Sequence, residues 1–265
     1  MPILQEVIDH LHTLAPNHYQ ESYDNSGLLV GDSRAEVKGI VVSLDVTEAI
    51  LDEAIGLGAN VIVSHHPIIF SGLRRIVGRN YVERIVAKAI KNDINLFAIH
   101  TNLDNVYNHG VNTHIAQRLG LGDVQILKPN MSMEMDSSVG AGVIGNLPKP
   151  MTEMAFLEDL KHKMNTAVVK YTDLRAKPIE KVAICGGSGR FLLEDAKAQN
   201  ADIFISSDFK YHEFFDADNQ IVIADIGHFE SEQYTINLLY EILTEKFNNF
   251  ALHFTKVNTN PVNYL

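Results

Sequence analysis

Histidines follow three of the apolar runs in this sequence. His65 and His66 come directly after the run Val61–Ser64, His100 follows the stretch INLFAI, and His228 follows IVIADIG. In open α/β sheets, ligands bind outside the carboxyl ends of the strands, where loops from different strands converge. A single histidine at a strand end is usually an ordinary surface or core residue. Three such ends with carboxylates close by favour a common metal site.

Two carboxylates lie four residues after two of these histidines. Asp104 follows His100, and Glu232 follows His228 in a segment that we interpret as the start of the last helix. Side chains at positions i and i+4 lie on one helical face. A histidine and a glutamate held one turn apart form a familiar metal-binding pair. The structural alternative is a helix-stabilising contact, because glutamate is favourable near a helix N-terminus.

The donor atoms narrow the choice of metal. The chain has one cysteine, Cys185, which leaves no disulfide framework and no thiolate cluster within the chain. Imidazole and carboxylate ligands without thiolate suit zinc, iron, manganese, cobalt or nickel. One tetrahedral catalytic ion needs three protein ligands, and the sequence offers more candidates than that. Two ions that share a bridging carboxylate would use all of these candidate ligands, whereas a mononuclear zinc site would leave some of them without a role.

The elements that carry these residues alternate between strands and helices. An amphipathic helix ends at Pro16, the strand GIVVSLD follows, and Thr47 is the predicted N-cap of the next helix. Further helices are predicted at 81–92 and 152–164. Near-continuous apolar strands separated by helices predict an α/β fold with largely parallel sheets.

Two segments superpose without a gap at an offset of 142 residues. Residues 50–67 then lie over 192–209, so that Ser64 matches Ser206 and His66 matches Asp208. Convergence on a common strand–helix–strand form would produce a similar match. We favour two related α/β halves within a single structural unit, with a boundary near residue 125 that separates 1–125 from 126–265. Asp208 should then end a strand at the place equivalent to His66.

The overall charge limits the classes of partner. Asp and Glu number 33 against 22 Lys and Arg, which gives a net charge of −11 and argues against a nonspecific nucleic-acid binder.

No run reaches 18 apolar residues, so no membrane span is expected. The N-terminal segment has helical apolar spacing rather than a signal-peptide pattern. We expect a cytoplasmic protein.

Several motifs resemble those of the Nif-three-like family, whose members are often named GTP cyclohydrolase 1 type 2 homologues. YDNSGLLVG at 23–31, SHHP, HTNLD, CGGSG and GHFESE occur in the family's order, and the resemblance covers the chain from about residue 4 to the C-terminus. It implies two divalent metal ions in a cleft between two α/β halves that face each other, and assembly as a ring-like homohexamer. Some members carry a PII-like insert. The stretch 127–139 is too short for one, so the chain resembles the insert-free form.

The resemblance also implies a division of the ligands between two ions. His66 and Asp104 would hold one ion, His65 and His228 would hold the other, and Glu232 would bridge both.

Three further residues are candidates for moving protons at this site. His100 matches the histidine of the family's HTNLD motif, and His212 falls in a family-like segment. Asp208 lies where the family has a Gly-Asp pair. Here the pair reads Ser207-Asp208, which puts the local turn in question because serine lacks the backbone freedom of glycine.

Two functions from different classes fit these residues. The first is a metal-dependent hydrolase; the resemblance implies a GTP cyclohydrolase 1 type 2-like activity on a nucleotide or similar small substrate. The chain has no P-loop, and CGGSG at a strand end predicts a tight turn more strongly than a phosphate cradle. The second is a metal-binding regulatory or scaffold hexamer without catalysis. A screen for metal-dependent turnover separates the two.

Overall fold

The computed structural model describes residues 2–130, 138–249 and 251–265. Part of the predicted insert-free stretch, residues 131–137, lies outside the described residues. The strands are β1 (Gly27–Val30), β2 (Ile40–Ser43), β3 (Val61–Ser64), β4 (Asn95–Ala98), β5 (Gly122–Pro129), β6 (Gly140–Met151), β7 (Lys170–Tyr171), β8 (Ile179–Ile184), β9 (Ile203–Ser206), β10 (Val222–Asp225) and β11 (Leu252–Phe254).

The α-helices occupy the intervals between many of these strands. They are α1 (Leu4–Leu14), α2 (Glu48–Leu57), α3 (Tyr81–Lys91), α4 (Thr101–Asp104), α5 (Val111–Leu119), α6 (Glu153–Lys163), α7 (Leu193–Ala198), α8 (His228–Glu232) and α9 (Thr235–Lys246). Short 3₁₀ turns occur at Asn17–Tyr19, Arg190–Leu192 and Tyr211–Ala217. In the part of the chain that the structure describes, no helix combines the length and apolarity that a membrane crossing requires.

Packing divides the chain into two compact units. The first unit comprises Met1–Leu103 and Thr235–Pro261, and the second comprises Asp104–Tyr234 and Val262–Leu265. The sequence-based boundary at residue 125 cuts the chain once, whereas the division by packing cuts it three times. The first unit includes α9 because this helix packs against α1, β2 and β11.

The first unit is built on a five-stranded sheet in the order β1-β4-β3-β2-β11. β1 pairs with β4 in antiparallel fashion, and the other neighbours are parallel. Every residue of β2, β3 and β4 is buried, as expected for parallel strands covered on both faces. The helix between β2 and β3 begins where the Thr47 hydroxyl accepts the N–H of Ile50 and ends at Gly58, which has a φ of 70°.

The second unit is built on a six-stranded sheet in the order β5-β6-β8-β9-β10-β7. Among the strands described in this sheet, β8, β9 and β10 run parallel, whereas β5, β6 and β7 pair in antiparallel fashion. Both units are therefore mixed α/β structures with a parallel centre, which confirms the predicted fold class.

The 142-residue offset holds at the level of strand register. Ile40 pairs with Val61 in the first unit, and Val182 pairs with Ile203 in the second. The bounds of β3, shifted by 142, coincide with those of β9. The pair Ser207-Asp208 therefore follows β9 as His65-His66 follows β3, so the equivalent strand end predicted for Asp208 is confirmed.

The segment predicted as the start of the last helix forms two helices instead of one. α8 ends at Glu232 and α9 begins at Thr235, with a turn between them. The side-chain amide of Gln233 donates to the carbonyl of Glu230 at 3.3 Å, which is the acceptor that the N–H of Tyr234 would use in a continuous helix. The same amide also donates to the Met164 carbonyl at 2.8 Å, so contacts outside the helix stabilise the break.

Candidate metal centre

The turn after β3 positions the two adjacent histidines of the first unit. The N–H of His65 donates to the carbonyl of Ser43 at 3.2 Å, and the N–H of His66 donates to that of Leu44 at 2.9 Å. The hydroxyl of Ser64 donates to the carbonyl of His66 at 2.9 Å. The chain therefore stays beside the end of β2 while it turns.

This turn brings three imidazoles together. The ring centroids of His65 and His66 are 5.0 Å apart, and His100 lies 5.3 Å from the first and 5.4 Å from the second. One ring nitrogen from each residue lies within 4.8 Å of the other two, a separation found between the ligands of metal centres. Neighbours on a regular strand would point to opposite faces, so the turn is what makes this cluster possible.

Each imidazole has its Nδ1 held by an oxygen acceptor. His65 donates from Nδ1 to the Ile99 carbonyl at 2.9 Å, and His66 donates to Asp45 at 2.8 Å. His100 donates to Asp24 at 2.7 Å. Because Nδ1 carries the proton, the neutral form of each ring has its lone pair on Nε2. Such outer hydrogen bonds orient metal-binding histidines, so this donor set fits a divalent ion.

Asp24 is the most extensively bonded of these orienting carboxylates. Its side chain is buried and accepts hydrogen bonds from the N–H groups of Asn25 and Thr101 and the hydroxyls of Ser26 and Thr101. Burial acts to raise the pKa of Asp24, but the hydrogen bonds and the charge of His100 outweigh it and hold this pKa well below its usual range. Asp24 is therefore ionised and fixes the Nδ1 proton of His100.

Asp45 orients His66 and is itself held by the C-terminal segment. One carboxylate oxygen accepts from His66, and the other accepts the hydroxyl of Thr259 at 2.6 Å. Thr259 is therefore linked to the imidazole of His66 by two hydrogen bonds to the same carboxylate, that of Asp45.

The second unit holds His228 between two carboxylates. Its Nδ1 donates to Asp208 at 2.6 Å, and its Nε2 lies 3.1 Å from an oxygen of Glu232, one helical turn further along α8. Burial acts to lower the pKa of His228, but the two carboxylates outweigh it and raise this pKa to about 11. Imidazole nitrogen and carboxylate oxygen at this separation are both metal ligands, and a divalent cation would replace the proton that they share.

A glycine makes room for Glu232. Gly187 has a φ of 61°, and a Cβ atom there would lie 2.3 Å from an oxygen of Glu232 and 3.4 Å from Cε1 of His228. Its N–H donates to the hydroxyl of Ser231 at 2.9 Å. The CGGSG motif therefore provides a close backbone approach to α8, which is the structural reason for glycine in this turn.

The Ser207-Asp208 turn is compatible with serine. The positive φ, 61°, falls on Asp208, and aspartate tolerates this region better than most residues. Ser207 is buried, and its hydroxyl donates to the carbonyl of Gly187 at 2.7 Å. The turn therefore does not need a glycine at position 207, and the serine there stabilises it by a hydrogen bond to the CGGSG turn.

Asp104 is the remaining candidate ligand in the second unit, and the single cysteine, Cys185, also lies in this unit. Asp104 ends α4, and its carbonyl accepts the side-chain amide of Asn112 at 3.1 Å. Burial, together with the carboxylates of Asp104 and Glu232, raises the pKa of Cys185 far above its usual value. The raised pKa keeps the thiol protonated near neutral pH.

The structure separates the three proton-transfer candidates by environment. His100 belongs to the three-histidine cluster, and Asp208 is bonded to His228. His212 is exposed in the 3₁₀ turn that follows, with its ring 5.1 Å from that of Tyr211 and 6.3 Å from that of Phe215. Its role stays a prediction.

Sequence reasoning missed the residues that orient the candidate ligands. Asp24 stands in the YDNSGLLVG motif and Asp45 ends the strand motif GIVVSLD, so both had a signal in the sequence. Gly187 had one in CGGSG. Thr259 had no such signal, because its partner lies 214 residues away in the chain.

Fold and side chains together define a class: mixed α/β proteins with histidine and carboxylate clusters at the ends of parallel strands. The chain belongs to the Duf34/NIF3 (NGG1p interacting factor 3) family, which it matches over residues 2–261. A Campylobacter jejuni relative named GTP cyclohydrolase 1 type 2 homolog is 34% identical over 263 residues, covering 98% of this chain and 99% of that protein.

Other relatives agree in name and in structure. A Staphylococcus epidermidis protein of the same name is 28% identical over 367 aligned positions, covering 98% of this chain and 99% of that protein, so it carries residues that this chain of 265 lacks. The crystal structure of a Staphylococcus aureus hypothetical protein superposes with a TM-score of 0.92 at 32% identity over 99% of both chains. That of a Bacillus cereus protein related to NIF3 gives 0.90 at 25% identity over 100% of this chain and 99% of that one.

Proposed function

We propose that this protein binds two divalent metal ions and acts as a metal-dependent hydrolase on a nucleotide or similar small substrate. The observation that carries the proposal is the cluster of His65, His66 and His100, in which every Nδ1 is held by an oxygen acceptor. The name GTP cyclohydrolase 1 type 2 homolog, borne by several relatives, supports the substrate class.

The proposed ligands are the five side chains that would hold the two ions: His65, His66, Asp104, His228 and Glu232, with Glu232 shared between the ions. The donor set suits zinc, iron, manganese, cobalt or nickel.

Bound divalent ions supply Lewis-acid activation of water and of the bond to be cleaved. The protein's own residues orient the ligands and handle protons. Asp45 holds the Nδ1 proton of His66, and Asp208 holds that of His228. His100 is left over in this ligand assignment. With its Nδ1 proton fixed by Asp24, its Nε2 is placed to accept a proton from a reacting group or to return one.

Metal stoichiometry and turnover together test this function. We expect two metal ions per chain after loading, two anomalous-scattering peaks, and loss of at least one ion in His66→Ala. His162→Ala, which removes an exposed histidine at the end of α6, is the matched control and should bind metal normally. Fewer than two ions in the loaded protein, or normal binding by His66→Ala, would contradict the ligand assignment.

A screen of nucleotides, phosphoesters and amides tests the catalytic part. Metal-dependent turnover should be abolished by Glu232→Gln, which keeps the size of the side chain and removes the bridging charge. Tight binding of two metal ions without turnover of any substrate would instead support a regulatory or scaffold role.

We also propose that the protein is a cytoplasmic homohexamer, as the family resemblance implies. Light scattering of the full-length chain should give a mass six times that of one chain. A monomer or dimer at micromolar concentration would contradict this assembly.

A further inference from the structure

A loop in the first unit carries positive charge on an otherwise acidic protein. Residues 70–80 contain three arginines, Arg74, Arg75 and Arg79, and no aspartate or glutamate, whereas the whole chain has a net charge of −11. We call residues 70–80 the arginine loop. It begins three residues after the SHHP motif and leads into α3.

Two of these arginines have no counter-ion among the described residues. Arg74 and Arg75 are exposed, and neither makes an ion pair or hydrogen bond with the residues that the structure describes. Arg79 differs because it contacts the carboxylate of Glu83 at 3.4 Å. The arginines elsewhere all contact a carboxylate, a backbone carbonyl or an aromatic ring; they are Arg34, Arg84, Arg118, Arg175 and Arg190. Two adjacent guanidinium groups are thus available to an external anion.

The loop is held at both ends. The side-chain amide of Asn25 donates to the carbonyl of Ile69 at 2.6 Å where the chain enters the loop. At the other end, the buried carboxylate of Glu83 accepts the N–H groups of Val77 and Arg79, each at 3.0 Å. These bonds keep Glu83 occupied with the backbone, so it is not placed to neutralise Arg74 and Arg75.

The first residue of the loop contacts the histidine cluster. The ring of Phe70 meets that of His100 edge-to-face, with centroids 5.9 Å apart, and 56% of Phe70 remains exposed. Four residues of extended chain span at most about 14 Å, so Arg74 begins within that distance of Phe70. A ligand that contacts Phe70 and His100 could reach the arginine side chains with a short anionic arm.

We infer that Arg74 and Arg75 bind the phosphoryl groups of a ligand whose other end contacts Phe70 and the histidine cluster. Guanidinium groups match the oxygens of phosphate in paired, charge-assisted hydrogen bonds, and two adjacent groups suit a chain of phosphates better than a single carboxylate. The exposed face of Phe70 would contact the apolar or aromatic part of the ligand. This inference rests on the proposed function in treating the histidine cluster as the place of reaction.

Inorganic tripolyphosphate is the probe for this site. Its affinity should be measured by calorimetry on the full-length protein, both metal-loaded and after chelation, because bound metal would itself attract phosphate. We expect Arg74→Gln/Arg75→Gln to weaken binding by about tenfold or more in both forms, since charge-assisted contacts are lost. The matched control Lys38→Gln/Lys91→Gln removes two exposed charges from the same unit and should stay within about twofold of the parent, because screening weakens distant charges.

The outcomes separate the loop from the metal site. Undetectable tripolyphosphate binding by the parent protein, equal affinity in the arginine variant, or an equal loss in the lysine control would each overturn the inference. Tighter binding of duplex DNA than of tripolyphosphate at the same salt concentration would also overturn it, in favour of a nucleic-acid surface. Metal stoichiometry should be unchanged in the arginine variant. If the parent binds no metal but the tripolyphosphate results hold, the hydrolase proposal fails and the anion site stands.

Discussion

The ends of β3 and β9 share a backbone arrangement and differ in their side chains. The N–H of Ile99 donates to Ser64 at the end of β3, and the N–H of Ile226 donates to Ser206 at the end of β9. After β3 the chain continues with two histidines, and after β9 with a serine and an aspartate. The repeated strands thus provide two equivalent strand ends, and the side chains decide what each can bind.

A second pair of equivalent positions, just beyond the strand that precedes β3 or β9, shows the same contrast. At the offset of 142 residues, Asp45 corresponds to Gly187. Asp45 supplies a carboxylate to orient His66, whereas Gly187 leaves space for the carboxylate of Glu232. In the first unit a carboxylate orients the histidine that follows a strand. In the second unit Asp208 follows the strand, and the histidine that it orients begins a helix.

The largest effect that we expect comes from filling this space in the second unit. Gly187→Ala would place a Cβ atom 2.3 Å from Glu232 at a positive φ, so we expect the free energy of unfolding to fall by roughly 2–4 kcal/mol. Metal binding should weaken as well, because Glu232 must move. Urea denaturation and metal analysis measure the two effects. The control Gly56→Ala, where no atom lies within 4 Å, should be neutral or stabilising.

Asp24 and Asp208, which orient histidines in different units, differ in burial, so removing the charge of each should have a different effect on stability. Asp24→Asn changes a buried carboxylate that accepts several hydrogen bonds, and we expect the free energy of unfolding to fall by about 1–3 kcal/mol. Asp208→Asn affects a half-exposed side chain and should have a smaller effect. Similar losses for the two variants would contradict the contrast between the units.

The pH dependence provides a second measurement on Asp24. Because the folded-state pKa lies below the usual value, the carboxylate contributes stability that is fully present above about pH 5 and is lost as the pH falls through and below about 4. Asp24→Asn should remove this part of the acid sensitivity in thermal melts taken between neutral and acidic pH. An unchanged acid profile would mean that Asp24 is not ionised in the folded protein.

The C-terminal segment should have a smaller and more specific effect. Thr259→Val removes the hydroxyl that donates to Asp45, with an expected loss of about 1 kcal/mol in unfolding free energy. If Asp45 positions His66, cobalt affinity and the cobalt absorption spectrum should also change. Thr259→Ser retains the hydroxyl and should restore both. A stability loss with an unaltered cobalt spectrum would indicate a purely structural role.

The smallest effect is expected at Ser207, the position that matches His65. Ser207→Ala removes a hydroxyl bonded to the Gly187 carbonyl, but that carbonyl still accepts from the N–H of Ser207 and the hydroxyl of Ser206. We therefore expect a loss of about 1 kcal/mol or less in unfolding free energy, with metal stoichiometry unchanged. A larger loss would show that the Ser207 hydroxyl stabilises the turn even though the Gly187 carbonyl keeps its two other hydrogen bonds.

Much of the framework was predictable because it depends on local patterns. The apolar runs became buried strands, Thr47 became an N-cap, and the 142-residue offset predicted two equivalent strand ends. The break between α8 and α9 was not predictable, because it depends on the bond from Gln233 to Met164, which lies 69 residues away. The pairing of Thr259 with Asp45 was missed for the same reason.

The sequence by itself determined which residues could bind metal and which strands carry them, because residue type and hydrophobic periodicity are local properties. Only the tertiary structure decided that His65, His66 and His100 form one cluster, that Asp24 and Asp45 hold two of their Nδ1 protons, and that Gly187 makes room for Glu232. These facts depend on turns and distant hydrogen bonds, whose geometry is set by packing between segments far apart in the chain.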